Sequence, residues 1–170
     1  ADGYVAIAPA LYDRAEKGVE LGYDEEGRQS GMAIREMVEW GDVVKDIIAT
    51  REAVADVGKV GIVGYCYGGT VTWLGACKGG FDAAVGYYGG GIHTMLDLDA
   101  GCPVQLHFGE KDQGIPLENV DKIRVAKSDV DIYVYDDAGH GFVCDERASY
   151  SETATSAART RTLDFFASNL

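Results

Sequence analysis

The stretch Val60-Gly61-Ile62-Val63-Gly64-Tyr65-Cys66-Tyr67-Gly68-Gly69 decides the reading of this chain. Its first four residues are apolar or small, as in a strand covered on both faces. The rest contains G-x-C-x-G, the pattern of a nucleophile elbow with cysteine in the nucleophile's place. Glycines at 64 and 68 are expected to let the strand turn sharply into a helix, because a Cβ at either would meet backbone. Cys66 is then held strained at the top of a sheet. A helix beginning there directs its positive end at the sulfur and favours thiolate over thiol. The N–H of Tyr67 becomes an oxyanion donor. Other glycine motifs fail: Gly68-Gly69-Thr70 lacks the lysine of a phosphate-binding loop, and glycines 61, 64 and 68 do not make a dinucleotide fingerprint. The plainer alternative is a tight turn around a buried cysteine. The pentapeptide alone does not decide between them.

Outward from this stretch, short apolar runs alternate with helical patterns. Residues 4–8, 59–63, 83–88, 104–108 and 132–135 read as strands. Ile34, Met37, Val38, Gly41, Val44 and Ile48 recur at helical spacing, with Arg35, Glu39, Asp42 and Asp46 opposite, so one amphipathic helix is expected there. Residues 68–77 and 117–127 read as helices and residues 11–30 as loop. Ser149 with Glu152 reads as a capping box before a last helix ending near Phe166. The alternation predicts an α/β fold in one domain over residues 1–170, with a mostly parallel sheet and helices on both faces. Sites in such sheets form beyond the carboxyl ends of the strands. The strand at 4–8 has nothing upstream to pair with. The expectation is that the first strands of the fold are missing, and that the bare strand invites self-association.

Two further residues follow strand ends. Gly109-Glu110-Lys111-Asp112 comes after Phe108, and Asp136-Asp137-Ala138-Gly139-His140-Gly141-Phe142 after Tyr135. A histidine between glycines in a loop is poorly explained as core filling, and an acid just past a strand can orient it. The order Cys, Asp, His is that of the α/β-hydrolase triad. Asp136 and Asp137 stand as alternatives to Asp112. His107, inside a strand, reads as a hydrogen-bonded core residue, and His93 as a surface residue. Tyr87, Tyr88, Phe142 and Trp73 fit either a pocket wall or the core.

Composition removes other functions. The 170 residues are 46% hydrophobic and 25% charged, which is globular usage. With 15 Lys and Arg against 28 Asp and Glu, the net charge is -13, and that surface repels nucleic acid and anionic membranes. No apolar run reaches the ~18 residues of a membrane span. Cys66, Cys77, Cys102 and Cys144 and the three histidines lack zinc-ligand spacing, so neither metal nor cofactor is expected. Unpaired cysteine spacing and the lack of a signal-peptide pattern point to the cytoplasm.

The residues resemble the dienelactone hydrolase family. The resemblance rests on Asp2-Gly3-Tyr4-Val5 through Pro9-Ala10-Leu11-Tyr12, the stretch from Lys59 to Gly69, and Ala84-Val85-Gly86-Tyr87-Tyr88-Gly89. Gly109-Glu110-Lys111-Asp112, Gly139-His140-Gly141-Phe142 and Arg161-Thr162-Leu163-Asp164-Phe165-Phe166 complete it. It implies an α/β-hydrolase fold lacking its N-terminal strands, with Cys66 as nucleophile, His140 as base and acid, and Asp112 as orienting acid. It also implies a small ester or lactone substrate with Arg28 beside it; of the aromatic residues, Tyr88 and Phe142 are the ones expected at the substrate. Where dienelactone hydrolase carries an arginine four positions after the histidine, this chain has Cys144; its nearest arginine is Arg147. Three functions follow: a lactone or ester hydrolase of that type, a thiol esterase of other specificity, or a non-catalytic fragment.

Overall fold

The structure, a computed structural model, describes residues 2–170. Its centre is a four-stranded, all-parallel sheet in the order β1 (Gly61–Tyr65), β2 (Ala83–Tyr87), β3 (Val104–Gly109), β4 (Asp131–Tyr135). β2 and β3 are buried at every residue and lie in the middle; β1 and β4 are the edges. Register sets Tyr65, Tyr87, His107 and Tyr133 side by side across the sheet.

Helix α3 (Tyr67–Lys78) is buried continuously from Gly69 to Ala76. A helix apolar on all sides needs cover on all sides. The sheet covers one side, and α2 (Trp40–Glu52) covers another through Val43 and Ile47. α4 (Leu117–Ala126) adds Val120 and Ile123 to the main core. α5 (Glu152–Asn169) lies on the opposite face. Its Ala154, Ala158, Thr162 and Phe166 recur every four residues as one buried stripe.

Under α5 the sheet holds a polar layer. His107 donates from Nε2 to Gln105 Oε1 (2.9 Å) and accepts at Nδ1 from the Tyr135 hydroxyl (2.8 Å), the tautomer these partners require. Thr162 lies 3.3 Å from the same Nε2 and 2.6 Å from the Tyr87 hydroxyl, which also donates to the Ala158 carbonyl. Burial, then the nearby Arg161 charge, pushes His107 down to about 3, so the ring is neutral.

Several sequence expectations change. Residues 4–8 form no strand: Tyr4 lies edge-on to Phe166 and Asp2 pairs with Arg159 (2.6 Å), so this stretch packs on α5. Alternating apolar residues supply the pattern of a strand but not a neighbour to bond with. The expected loop at 11–30 gives way to α1 (Glu25–Glu36) after Asp24, whose carboxylate caps Gly27 N–H (2.8 Å). The single helix expected near 34–48 is two, because Glu39 is extended (φ -76°, ψ 138°) between α1 and α2. The cap of α5 is Ser151, accepting from Ala154 N–H (3.3 Å). Ser149 instead donates to the His140 carbonyl (2.7 Å). No helix among the described residues is long and apolar enough to cross a membrane.

Candidate active site

β1 ends at Tyr65, α3 begins at Tyr67, and Cys66 alone makes the turn, with φ 56° and ψ -115°. That backbone is strained for any side chain. It is held by the Cys66 N–H bonding the Tyr87 carbonyl (3.0 Å) and by close backbone packing. A Cβ on Gly64 would overlap the Gly68 carbonyl and come 2.6 Å from Thr72 Oγ1. A Cβ on Gly69 would overlap the Tyr87 carbonyl and come 3.1 Å from Gly89. Gly68 faces open space, so the second glycine the turn requires is 69, not 68. The Gly68-Gly69 doublet was the signal.

Two loops complete the site. Glu110 N–H bonds the Tyr135 carbonyl (2.9 Å) and Lys111 N–H the Ala138 carbonyl (2.8 Å), stitching the loop after β3 to the loop after β4. Asp112, with its side chain fully buried, accepts from Gly114 and Ile115 N–H at Oδ1 (2.9 and 3.1 Å). Its Oδ2 lies 2.7 Å from His140 Nδ1, and His140 Nε2 lies 3.1 Å from Cys66 Sγ. Asp136 and Asp137 are exposed, and Asp137 lies 4.0 Å from Lys111.

The electrostatics follow from this chain. At Cys66, crowding by its neighbours raises the thiol. The hydrogen bond and charge of His140, the Tyr67 N–H and Arg147 outweigh it, so the thiol is lowered. At His140, burial opposes the charged ring, but Asp112 on one nitrogen and Cys66 on the other push it up to about 9. The pair is therefore biased towards thiolate and imidazolium. Cys77 is pushed up to about 11 by burial and Cys102 is raised too, so these thiols stay protonated at neutral pH. All four cysteines are free.

The remaining candidates divide. Tyr88, at φ 39°, sets its ring 5.0 Å from that of His140, and burial keeps its hydroxyl protonated. Phe142 is fully buried and stacks edge-on against Tyr88 at 5.5 Å, backing that ring. The Arg28 guanidinium bonds Glu25 (2.6 Å) and Met32 on its own exposed helix face. His93 bonds the Gly90 carbonyl (2.8 Å), away from this chain of contacts. Among the described residues no group of three or more ligands could hold a metal ion.

A parallel sheet with a strained nucleophile elbow at a strand's carboxyl end defines an α/β hydrolase. The model of the dienelactone hydrolase family matches residues 1–170, and the chain belongs to that family. A carboxymethylenebutenolidase from Pseudomonas putida is 34% identical over 175 residues, covering 97% of this chain and 74% of that protein. A Synechocystis protein assigned the same activity is 33% identical over 188 residues, covering 99% of this chain and 76% of its own. In fold, a Klebsiella pneumoniae protein assigned as a dienelactone hydrolase superposes with a TM-score of 0.77 at 29% identity, over 92% of this chain and 72% of that one.

Proposed function

We propose that this chain hydrolyses a small ester or lactone through an acyl-enzyme on Cys66. The observation that carries the reading is the continuous chain Asp112–His140–Cys66, with contacts of 2.7 and 3.1 Å. The Cys66 thiolate attacks the carbonyl carbon, and the Tyr67 N–H stabilises the oxyanion. The leaving alcohol takes its proton from the His140 imidazolium. Acylation removes the thiolate that helped hold the ring charged, so His140 then acts as a neutral base. It takes a proton from water, which attacks the thioester and releases the acid and Cys66. Asp112 holds the ring in the tautomer that points Nε2 at sulfur. Tyr88 forms the wall beside the reacting carbonyl.

Specificity is a second matter. Cys144 stands where dienelactone hydrolase has an arginine, and Arg28 lies on its own helix surface. These two facts favour esters other than the dienelactone. Thioesters and activated esters suit a thiolate nucleophile because their leaving groups depart readily.

The test is turnover of a dienelactone and of a neutral activated ester by this chain and by Cys66→Ala. The expected result is turnover that vanishes in the variant, with the activated ester preferred. Equal turnover by Cys66→Ala sinks the proposal. A strong preference for the dienelactone reverses the specificity reading alone.

A further inference from the structure

In the proposed reaction the oxyanion donor is a backbone group, the N–H of Tyr67, so its place depends on how Tyr67 is held. The Tyr67 hydroxyl is buried with no hydrogen-bond partner among the described residues, so the side chain is fixed through the faces of its ring. Tyr12 stacks on that ring at 6.2 Å with 26° between the planes, and Trp40 lies tilted against it at 5.4 Å. The Arg35 guanidinium closes the group. Its central carbon stands 5.4 Å from the centre of the Tyr67 ring and 5.8 Å from that of Trp40. Both distances are within the reach of cation–π attraction.

The local fold makes this meeting possible. Arg35 lies in the last turn of α1, and Trp40 is the first residue of α2. In one unbroken helix, residues five apart stand roughly 140° from each other around the axis, so Arg35 and Trp40 would face apart. Instead Met37 N–H bonds the Ile34 carbonyl (3.0 Å), Val38 N–H bonds the Arg35 carbonyl (3.1 Å), and Glu39 is extended. That turn returns Trp40 to the side of Arg35. Val38, Val43 and Val71 belong to one core cluster, and Tyr12, Trp40 and Tyr67 pack against it. Three segments from before β1 thus converge on the side chain that follows Cys66. A φ of 56° is strained for cysteine, so the peptide joining Cys66 to Tyr67 keeps its place only while its surroundings hold it. The geometry points to Arg35 as a positioning residue: it locks the Tyr67 ring against Trp40 and so keeps the Tyr67 N–H aimed at the oxyanion. The inference rests on the proposed reaction at Cys66. Arg35 acts through the Tyr67 ring and touches neither substrate nor sulfur.

The experiment compares Arg35→Met, which keeps length and loses the charge, with Arg35→Lys, which keeps the charge. kcat and KM are measured with a neutral activated ester. Capture of a small aldehyde is measured by titration: the Cys66 sulfur bonds the carbonyl carbon, and the oxygen, taking its proton from the His140 imidazolium, rests where the oxyanion would. Alkylation of Cys66 by iodoacetamide is followed at a pH where the sulfur is all thiolate. It displaces iodide and needs no oxyanion donor. In Arg35→Met, kcat and aldehyde affinity are expected to fall together by about three- to tenfold, with KM and the alkylation rate unchanged. Arg35→Lys restores most of both. Trp40→Leu lowers both in the same way, and Trp40→Phe, which keeps a ring, restores them. Unchanged kcat and aldehyde affinity in folded Arg35→Met overturn the inference. So does an equal fall in alkylation, which puts the effect on the thiolate, or an effect on KM alone, which makes Arg35 a substrate contact. A wild type whose Cys66 is alkylated but captures no aldehyde overturns it too. Capture needs no turnover, so weakened capture by Arg35→Met in a chain that hydrolyses nothing leaves this inference standing and removes the proposed function.

Discussion

Two histidines in this molecule are each hydrogen-bonded at both ring nitrogens, and they are driven in opposite directions. His107, under α5, meets an amide and two hydroxyls, is fully buried and is pushed down to about 3. His140, above the sheet, meets a carboxylate and a thiol and is pushed up to about 9. Both rings are bonded at Nδ1 and at Nε2; partner charge differs. Neutral partners leave desolvation to win, whereas an anion on each side reverses it. The first arrangement fixes a core and the second prepares a proton transfer.

The largest expected effect is on activity. Cys66→Ala removes turnover altogether and also removes one of the partners that raises His140. The ring's titration, followed by NMR, should then fall from about 9. Asp112→Asn tests the other side. It removes the anion behind His140, frees the wrong tautomer, and should lower kcat by roughly a thousandfold or more. Asp136→Asn and Asp137→Asn, both in exposed positions, should leave kcat within a few-fold. His107→Leu reverses the pattern. It leaves the Tyr135 hydroxyl and the Gln105 amide buried without their partner, at a cost of about 1–3 kcal/mol of stability. Thermal unfolding measures that loss, while turnover per folded molecule changes little. If His107→Leu abolished turnover at full stability, the division between the two layers would be wrong.

The smallest effect is on how stability depends on pH. His140 is raised in the fold, so its contribution is complete below pH 6.5 and is lost as pH rises through about 9. His107 is lowered, so its contribution is complete above 6.5 and is lost as pH falls towards about 3. Urea unfolding of wild type and His107→Leu across this range should give curves that converge towards pH 3. A constant gap would mean that His107 is not neutral in the fold.

Much of this was legible in the sequence. The core strands and α3 were readable because continuous apolar runs have one physical meaning. The order Cys66, Asp112, His140 placed three residues after three strands, and a parallel sheet brings strand ends together. Residues 4–8 were misread because alternation reports a residue's preference for a strand and not the presence of a neighbour. The break at Glu39 was hidden because Val38, Gly41 and Val44 continue the helical spacing across it. Gly69 acts through close approach in three dimensions, to Gly89, which no spacing along the chain encodes. The Arg28–Glu25 pair is hidden for a similar reason, because it lies within α1, in a stretch whose polar and glycine residues read as loop.

The central claim is that Cys66 becomes acylated. A slowly deacylating activated ester mixed with the chain and quenched in acid should give a protein heavier by one acyl group. Peptide mapping should place that group on Cys66, and Cys66→Ala should not acquire it. Turnover without any mass increase on Cys66, or with the acyl group on another residue, would contradict the account.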